Sequence, residues 1–218
     1  MLCTIAVHGL VHGRGQGEWR YRTVHTSYRM CTVYRPDAEA SSTRRIRMGK
    51  RSDFERRERD FYPTPYEAVV PLLGHLPTRS MFVEPCAGDG VLVSHLHRHG
   101  HHCVSASDIE PQDQSVKALD AFKARIGDAT FFITNPPWDR GILHPLIEHL
   151  SDQAPTWLLF DADWMHTKQA RPYLDRLVKI VSVGRVKWIA DSKMTGKDNC
   201  CWYLFYGEFR GRTEFYGR

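Results

Sequence analysis

The chain has 218 residues, of which 42% are hydrophobic and 11% aromatic, enough apolar material for one sizeable core. Its net charge of +5 arises in residues 1–60, with 13 Lys and Arg against 7 Asp and Glu; residues 61–218 carry 17 against 18, which excludes a polycationic surface there. No apolar run approaches the roughly 20 residues of a membrane span, and no signal peptide pattern is present. The six cysteines lack the spacing of a zinc site. We therefore predict a cytoplasmic protein with reduced thiols.

Residues 1–52 form a basic segment that we predict to be largely disordered, because His, Gly, Arg and Ser occur there without a clear apolar period. A strand-like piece is expected around residues 29–34. The composition becomes typical of a folded domain only from Met48, which suggests Met48 as the natural translation start. The folded domain is predicted to span residues 53–209, followed by a C-terminal tail over residues 210–218.

The first predicted helix follows Thr64, which is expected at its cap, and Pro65, expected at its first helical position. A buried strand over residues 81–84 then leads through a glycine-containing loop into a helix that starts near residue 91. Strand, glycine loop and helix are typical of the opening unit of a nucleotide-binding α/β sheet, because glycines let backbone N–H groups approach a ligand.

The second predicted strand ends at Asp108, a position from which an acid can hold the two hydroxyls of a ribose. The remaining elements are predicted as strands over 116–120, 130–134, 156–160, 178–183 and 199–205, and as helices over 142–150 and 166–177. Their alternation predicts an α/β fold with a doubly wound, mostly parallel sheet and helices on both faces.

Five histidines lie close together in the sequence, at the end of the second helix and the start of the second strand. They are His95, His97, His99, His101 and His102. Alternation along a helix end and a strand start points these side chains in different directions, so we predict a solvated or half-buried cluster and no metal site.

The fourth strand ends in Asn135, Pro136, Pro137 and Trp138. Two consecutive prolines exclude a helix and a continued strand ladder, so a rigid turn is expected. It can present the side-chain amide of Asn135 and the carbonyl of Pro136 as two acceptors for a planar NH₂ group, with the indole of Trp138 beside them. Such acceptors would stabilise the positive charge that develops when the nitrogen is alkylated. Alternatively, the turn is a simple loop whose tryptophan fills the core.

Taken together, these motifs resemble those of the class I, S-adenosylmethionine-dependent methyltransferases, and within them the phage and bacterial enzymes that methylate adenine N6. The similar segments are FYPTP at residues 61–65, EPCAGDG at residues 84–90, the acid at the end of the second strand, and NPPW. The resemblance covers about residues 61–205. It implies a Rossmann-like fold, S-adenosyl-L-methionine as cofactor and nucleic acid as partner, with DNA preferred to RNA.

The resemblance also implies roles for individual residues and implies no metal. It assigns Asn135, Pro136, Pro137 and Trp138 to catalysis. It assigns cofactor binding to Tyr62, Thr64, Pro65, Glu84, Pro85, Cys86, Ala87, Gly88, Asp108, Asp120 and Asn135. For the acid beside the cofactor's adenine, a strand-end Asp120 is preferred to Asp128, which precedes the fourth strand.

One departure from the family concerns target selection. Members that recognise a DNA sequence usually carry a separate recognition region, whereas only residues 184–197 could serve here, so selection is expected to be short or degenerate. Trp138, with Trp188 or Trp202, would contact a flipped base, although core packing is preferred for Trp202. Adenine in RNA, a glutamine side-chain amide in a protein, and a catalytically inactive nucleic-acid-binding module are the alternative hypotheses.

Overall fold

The computed structural model describes residues 3–12, 19–28, 62–189, 196 and 198–218. The chain divides into two compact units, Met1–Arg47 and Met48–Arg218. No helix in the described ranges is long and apolar enough to cross a lipid bilayer.

The first unit contains an antiparallel strand pair, β1 (Cys3–His12) and β2 (Trp19–Tyr28), in which Cys3 lies opposite Tyr28 and His12 opposite Trp19. The sequence predicted little regular structure here. Both strands contain β-branched residues, and β2 also contains aromatic ones, which favour extended backbone even though Gly, His and Arg interrupt the apolar pattern. The strand-like piece predicted at residues 29–34 and the candidate start at Met48 lie outside the described residues.

The second unit is built around an eight-stranded sheet. Its strands are β3 (Met81–Glu84), β4 (His102–Asp108), β5 (Lys117–Ala118), β6 (Phe131–Thr134), β7 (Thr156–Asp161), β8 (Leu177–Arg185), β9 (Asn199–Phe205) and β10 (Glu214–Tyr216). They are arranged in the order β5-β4-β3-β6-β7-β9-β8-β10, and all neighbouring pairs are parallel except those of β9 with β7 and β8. The chain runs outward from β3 in one direction and from β6 in the other, so the order reverses between these two strands.

Helices cover both faces of this sheet, which confirms the doubly wound α/β fold class. On one face, α1 (Tyr66–Leu73) and α2 (Val91–Arg98) bury apolar side chains such as Leu72 and Leu96 in a cluster with Phe82 and Trp157. On the other, α3 (Arg140–Ser151) contributes a stripe that includes Leu146 to a second cluster. The sheet is therefore shielded from water on both sides.

Three predicted elements differ from the structure. In place of the helix expected over residues 166–177 the structure has a 3-10 helix, Lys168–Arg176, which contains Pro172. The extended residue Thr167 separates it from a preceding 3-10 helix, Ala162–His166. The sheet also continues into β10, which was expected to be part of a tail, because β10 pairs in parallel with β8. The strand expected over residues 116–120 is confined to Lys117–Ala118.

The core position preferred for Trp202 is confirmed. Its side chain is fully buried, and its Nε1–H donates to the carbonyl oxygen of Ala68 at 2.7 Å, which ties β9 to α1. Cys86, Cys103, Cys200 and Cys201 are free thiols.

Candidate functional site

A cavity of about 480 Å³ opens at the carboxyl ends of the parallel strands, where the strand order reverses. This is where open α/β sheets bind ligands, and the volume suits a nucleoside-sized molecule. Eleven predicted site residues line it: Tyr62, Thr64, Glu84, Pro85, Cys86, Ala87, Gly88, Asp108, Asp120, Asn135 and Pro137. Pro65, Pro136 and Trp138 do not line it.

The loop between β3 and α2 is shaped by Asp108 at the end of β4. The Gly88 N–H donates to Asp108 Oδ2 at 2.9 Å, and the Glu110 N–H donates to Oδ1 at 2.8 Å. Gly88 and Gly90 have φ angles of 53° and 73°, in the left-handed region that favours glycine. Both carboxylate oxygens are thus anchored, and each retains a lone pair with which it could accept a further hydrogen bond.

Glu84 lies at the floor of the cavity and is almost completely buried. Its Oε2 atom has no hydrogen-bond partner in the described structure. Burial, followed by the nearby carboxylates of Asp89 and Asp108, raises the pKa of Glu84 well above its ordinary value, and the Val93 N–H only partly offsets this. A buried, unpartnered carboxyl group at this position would be stabilised by a cationic or hydrogen-bond-donating ligand.

Another part of the cavity lining combines an acid, Asp120, with apolar side chains. Asp120 accepts a hydrogen bond from the Phe122 N–H at 3.0 Å and thereby caps a 3-10 helix, Ala121–Lys123. Ile109 and Phe122 line the cavity with 64% and 37% of their surfaces exposed. Asp128 is exposed and does not line the cavity. The arrangement offers a hydrogen-bond acceptor and an apolar surface to a flat ring.

Ile109 and Phe122 line the cavity but were not predicted as site residues from the sequence, although their positions beside two predicted acids could have indicated them. Ile109 directly follows the acid at the end of β4, and Phe122 follows Asp120 by two residues. The missed lining residues are Pro63, Asp89, Val91, Leu92, Ile109, Glu110, Gln112, Ala121, Phe122, Ile142 and Leu146.

Two residues before α1 form hydrogen bonds with the side chain of Asn135. The Nδ2 atom of Asn135 donates to Thr64 Oγ1 at 3.2 Å and to the Tyr62 carbonyl oxygen at 3.4 Å. The helix cap predicted for Thr64 is therefore wrong: Pro65 occupies the cap position of α1, no side chain caps that end, and the buried Thr64 hydroxyl faces Asn135 instead. A carbonyl accepts only, so Nδ2 must point toward Tyr62 and Oδ1 away from it.

Trp138 is partly buried and contacts both core clusters. Its Nε1–H is shared between the Leu159 carbonyl oxygen at 3.2 Å and Asn135 Oδ1 at 3.4 Å. The two tryptophan rings of Trp138 and Trp188 meet nearly at right angles, with centroids 5.8 Å apart. Trp138 thus has part of the core role considered for it from the sequence, while it remains joined to Asn135.

The charge of the cavity restricts its ligands. The lining contains five carboxyl groups, those of Glu84, Asp89, Asp108, Glu110 and Asp120, and no Lys or Arg among the described residues. A pyrophosphate would be repelled, whereas hydroxyl groups and a positive charge would be favoured. Burial raises the pKa of the Cys86 thiol, which disfavours the nucleophilic thiolate form.

The histidine cluster remains apart from this cavity. Tyr66 contacts His99 through a 2.9 Å hydrogen bond between its hydroxyl and Nε2, and its ring packs beside His95. Burial is the main cause that lowers the pKa of His95 and of His101. Within the described ranges, no three His, Cys, Asp or Glu side chains are grouped so that they could hold a metal ion.

Comparisons with known proteins reveal similarity at the level of the fold. No protein-family model matches the sequence, and no curated protein matches it. Among solved structures, a modification subunit of a candidate type I restriction enzyme from Vibrio vulnificus YJ016 is similar with a TM-score of 0.50 and 11% identity, covering 72% of this chain and 47% of that one. The present chain therefore spans about half the length of that subunit.

Two further structures have lower TM-scores of 0.45. A candidate RNA methyltransferase from Pyrococcus horikoshii is 15% identical over 66% of this chain and 85% of its own. A dimethyladenosine transferase from Plasmodium falciparum is 13% identical over 66% of this chain and 62% of its own.

Proposed function

We propose that this protein is an S-adenosylmethionine-dependent methyltransferase that modifies the exocyclic N6 amino group of adenine in nucleic acid, with DNA preferred to RNA. One observation carries the proposal: Asn135, with its amide oriented by Tyr62 and Thr64, lines a cavity whose five carboxyl groups disfavour phosphates. The likeness to the Vibrio vulnificus subunit concerns the fold alone. The reaction is inferred from the site.

The residues of the cavity fit the proposed cofactor. Asp108 could accept hydrogen bonds from the two ribose hydroxyls through its remaining lone pairs, and Ile109 and Phe122 could enclose the adenine near Asp120. Glu84, once a cationic ligand has favoured loss of its proton, would balance the positive charge of the methionine amino group. S-adenosylmethionine, when bound, supplies a methyl group on a positively charged sulfur, a chemistry that needs no metal.

Asn135 would act on the accepting amino group. Its Oδ1 has two lone pairs, of which the indole N–H of Trp138 engages one through a long 3.4 Å contact. The other can accept a hydrogen bond from the substrate NH₂ group and, together with the Pro136 carbonyl as the second proposed acceptor, turn the nitrogen lone pair toward the methyl group. These acceptors would also stabilise the positive charge that forms on nitrogen before it loses a proton.

Adenine is proposed as the target because an exocyclic amino group on a flat ring matches two acceptors beside an indole, and because NPPW resembles the motif of adenine N6 enzymes. In duplex DNA the base would have to be flipped out of the stack to reach Asn135. An NH₂ group on a glutamine side chain or on adenine in RNA presents the same donors, so the substrate must be tested directly.

The test offers labelled S-adenosylmethionine to unmethylated plasmid DNA, RNA and release-factor protein in parallel, and identifies the labelled product after hydrolysis. We expect N6-methyladenine from DNA. We also expect Asn135→Ala to lower the rate by about 10² or more while cofactor binding persists, since an acceptor for developing charge is removed. The exposed Asn199 at the start of β9 provides a matched control, Asn199→Ala.

If the labelled methyl group appeared only in glutamine or only in RNA, the substrate would be the protein amide or the RNA and not DNA. A wild-type protein that binds no S-adenosylmethionine would favour the catalytically inactive module. An Asn135→Ala variant within a few-fold of wild type would contradict the catalytic assignment.

A further inference from the structure

Trp188 lies just beyond β8 and packs against the ring of Trp138. The centroids are 5.8 Å apart and the ring planes meet at 85°, an edge-to-face geometry that is favourable for aromatic pairs. Trp188 does not line the cavity, and both rings contact the core cluster beneath α1 and α2. The sequence hypothesis placed Trp188 on a flipped base, but its observed neighbour is another part of the proposed site.

Gly196 lies beside the indole of Trp188. The Gly196 N–H donates to the carbonyl oxygen of the buried Val186 at 2.9 Å, which places Gly196 next to the residue that follows β8. A Cβ atom at residue 196 would lie 2.7 Å from that oxygen and 3.3 Å from Cδ1 of Trp188. Only glycine fits here without displacing its neighbours, so a side chain at residue 196 would press on both the Val186 carbonyl and the ring of Trp188.

Trp138 in turn is linked to Asn135. Because its Nε1–H is shared between the Leu159 carbonyl and Asn135 Oδ1, a rotation of the indole would change the hydrogen bonding of Oδ1, the atom proposed to accept a hydrogen bond from the substrate's amino group. The position of Gly196 beside Trp188, the ring pair of Trp188 with Trp138 and the hydrogen bond of Trp138 to Asn135 therefore connect Gly196 to the proposed catalytic amide.

We propose that Trp188, held by Gly196, is a positioning residue that fixes the orientation of Trp138 for methyl transfer. The proposal rests on the function proposed above. It assigns Gly196 and Trp188 an effect on the rate, even though Trp188 does not line the cofactor cavity and, in this scheme, does not contact the target base.

The test is a double-mutant cycle on kcat with Trp188→Ala and Trp138→Ala. Trp188→Ala should lower kcat roughly tenfold, the scale of one aromatic pair, while the cofactor Kd stays within about twofold. Trp188→Phe should restore most of the rate, because it keeps a ring. In the Trp138→Ala background, Trp188→Ala should change kcat by less than about twofold. An unchanged kcat in the single variant, or an equal decrease in both backgrounds, would overturn the proposal.

Gly196→Ala tests the same contact without removing an aromatic ring, which covers the case in which Trp188→Ala fails to fold. It should lower kcat, whereas Gly74→Ala should not, since a Cβ at Gly74 meets no atom within 4 Å and the φ angle there is −69°. Equal rates for Gly196→Ala and wild type would overturn the proposal.

A readout without methyl transfer separates this proposal from the proposed function. The near-UV circular dichroism change caused by Trp138→Phe should differ between the wild-type and Trp188→Ala backgrounds if the rings orient each other. Additive spectra would overturn the positioning role. An inactive wild type with non-additive spectra would overturn the proposed function alone.

Discussion

The hydroxyl oxygen of Thr64 accepts a hydrogen bond from the side-chain amide of Asn135 at 3.2 Å, across 71 residues of sequence. The contact connects the segment before α1 with the turn after β6. It orients the Asn135 amide in advance, so that Oδ1 is available to a substrate.

The first prediction concerns Thr64→Val, which keeps the shape of the side chain and removes its hydroxyl. We expect kcat to fall roughly fivefold, the value of about one neutral hydrogen bond, because the Tyr62 carbonyl still holds Nδ2. Thr64→Ser should retain the rate. Since Thr64 also lines the cavity, cofactor Kd is measured separately by titration; a loss in Kd with no change in kcat would contradict the orienting role.

The second prediction concerns Asp108→Asn. Losing the charge should weaken S-adenosylmethionine binding by about 1.5–3 kcal/mol, the scale of a hydrogen bond to a charged group. The Gly88 or Glu110 N–H would also lose its acceptor, so hydrogen exchange at one of these amides should accelerate.

Asp113→Asn is the control for the Asp108 variant. Asp113 accepts a similar bond from the Ser115 N–H at 2.8 Å but lies outside the cavity. Equal cofactor affinity for the two variants would place the ribose elsewhere.

Much of the fold could be predicted because its signals are local. The alternation of short apolar runs and amphipathic helices identified most of the strands, and β9 begins and ends where it was expected. Motif residues at successive strand ends converge for the same reason, since the carboxyl ends of parallel strands share one edge of a sheet.

The remaining features depend on contacts distant in sequence. β10 is three residues long, and only its pairing with β8 makes it a strand. Nothing near Thr64 indicates that its hydroxyl faces Asn135 rather than the end of α1. The sequence also does not distinguish a 3-10 helix from an α-helix in this part of the chain. Apart from Pro172, the apolar pattern of residues 166–177 is compatible with an α-helix.

The third prediction compares two acids that the sequence alone left in competition. Asp120→Asn should weaken cofactor binding roughly tenfold, because Asp120 lines the cavity, while an asparagine can still cap the 3-10 helix that follows. Asp128→Asn should stay within about twofold of wild type, since Asp128 is exposed outside the cavity. Titration of both purified variants decides between them, and the reverse ranking would move the adenine end of the site.

The fourth prediction follows from the raised pKa of Glu84, which is caused mainly by burial and then by Asp89 and Asp108. In the folded protein Glu84 keeps its proton at pH values where the unfolded chain has released it. Stability from this group is therefore complete below the ordinary value of 4.5 and decreases as pH rises toward the raised pKa. Glu84→Gln is neutral at every pH and should lack this decrease.

Thermal melts without cofactor at pH 4 to 8 measure the effect. The Tm of Glu84→Gln relative to wild type should increase steadily with pH, because all other titrating groups contribute to both proteins. Glu67→Gln, on the exposed side of α1, controls for the loss of one surface carboxylate and should melt in parallel with wild type. If the Tm of Glu84→Gln also ran parallel to that of wild type, the pKa of Glu84 would be the same in the folded and the unfolded protein. Glu84 would then already be ionised in the folded protein near neutral pH. In that case a cationic ligand could bind beside it without the release of a proton.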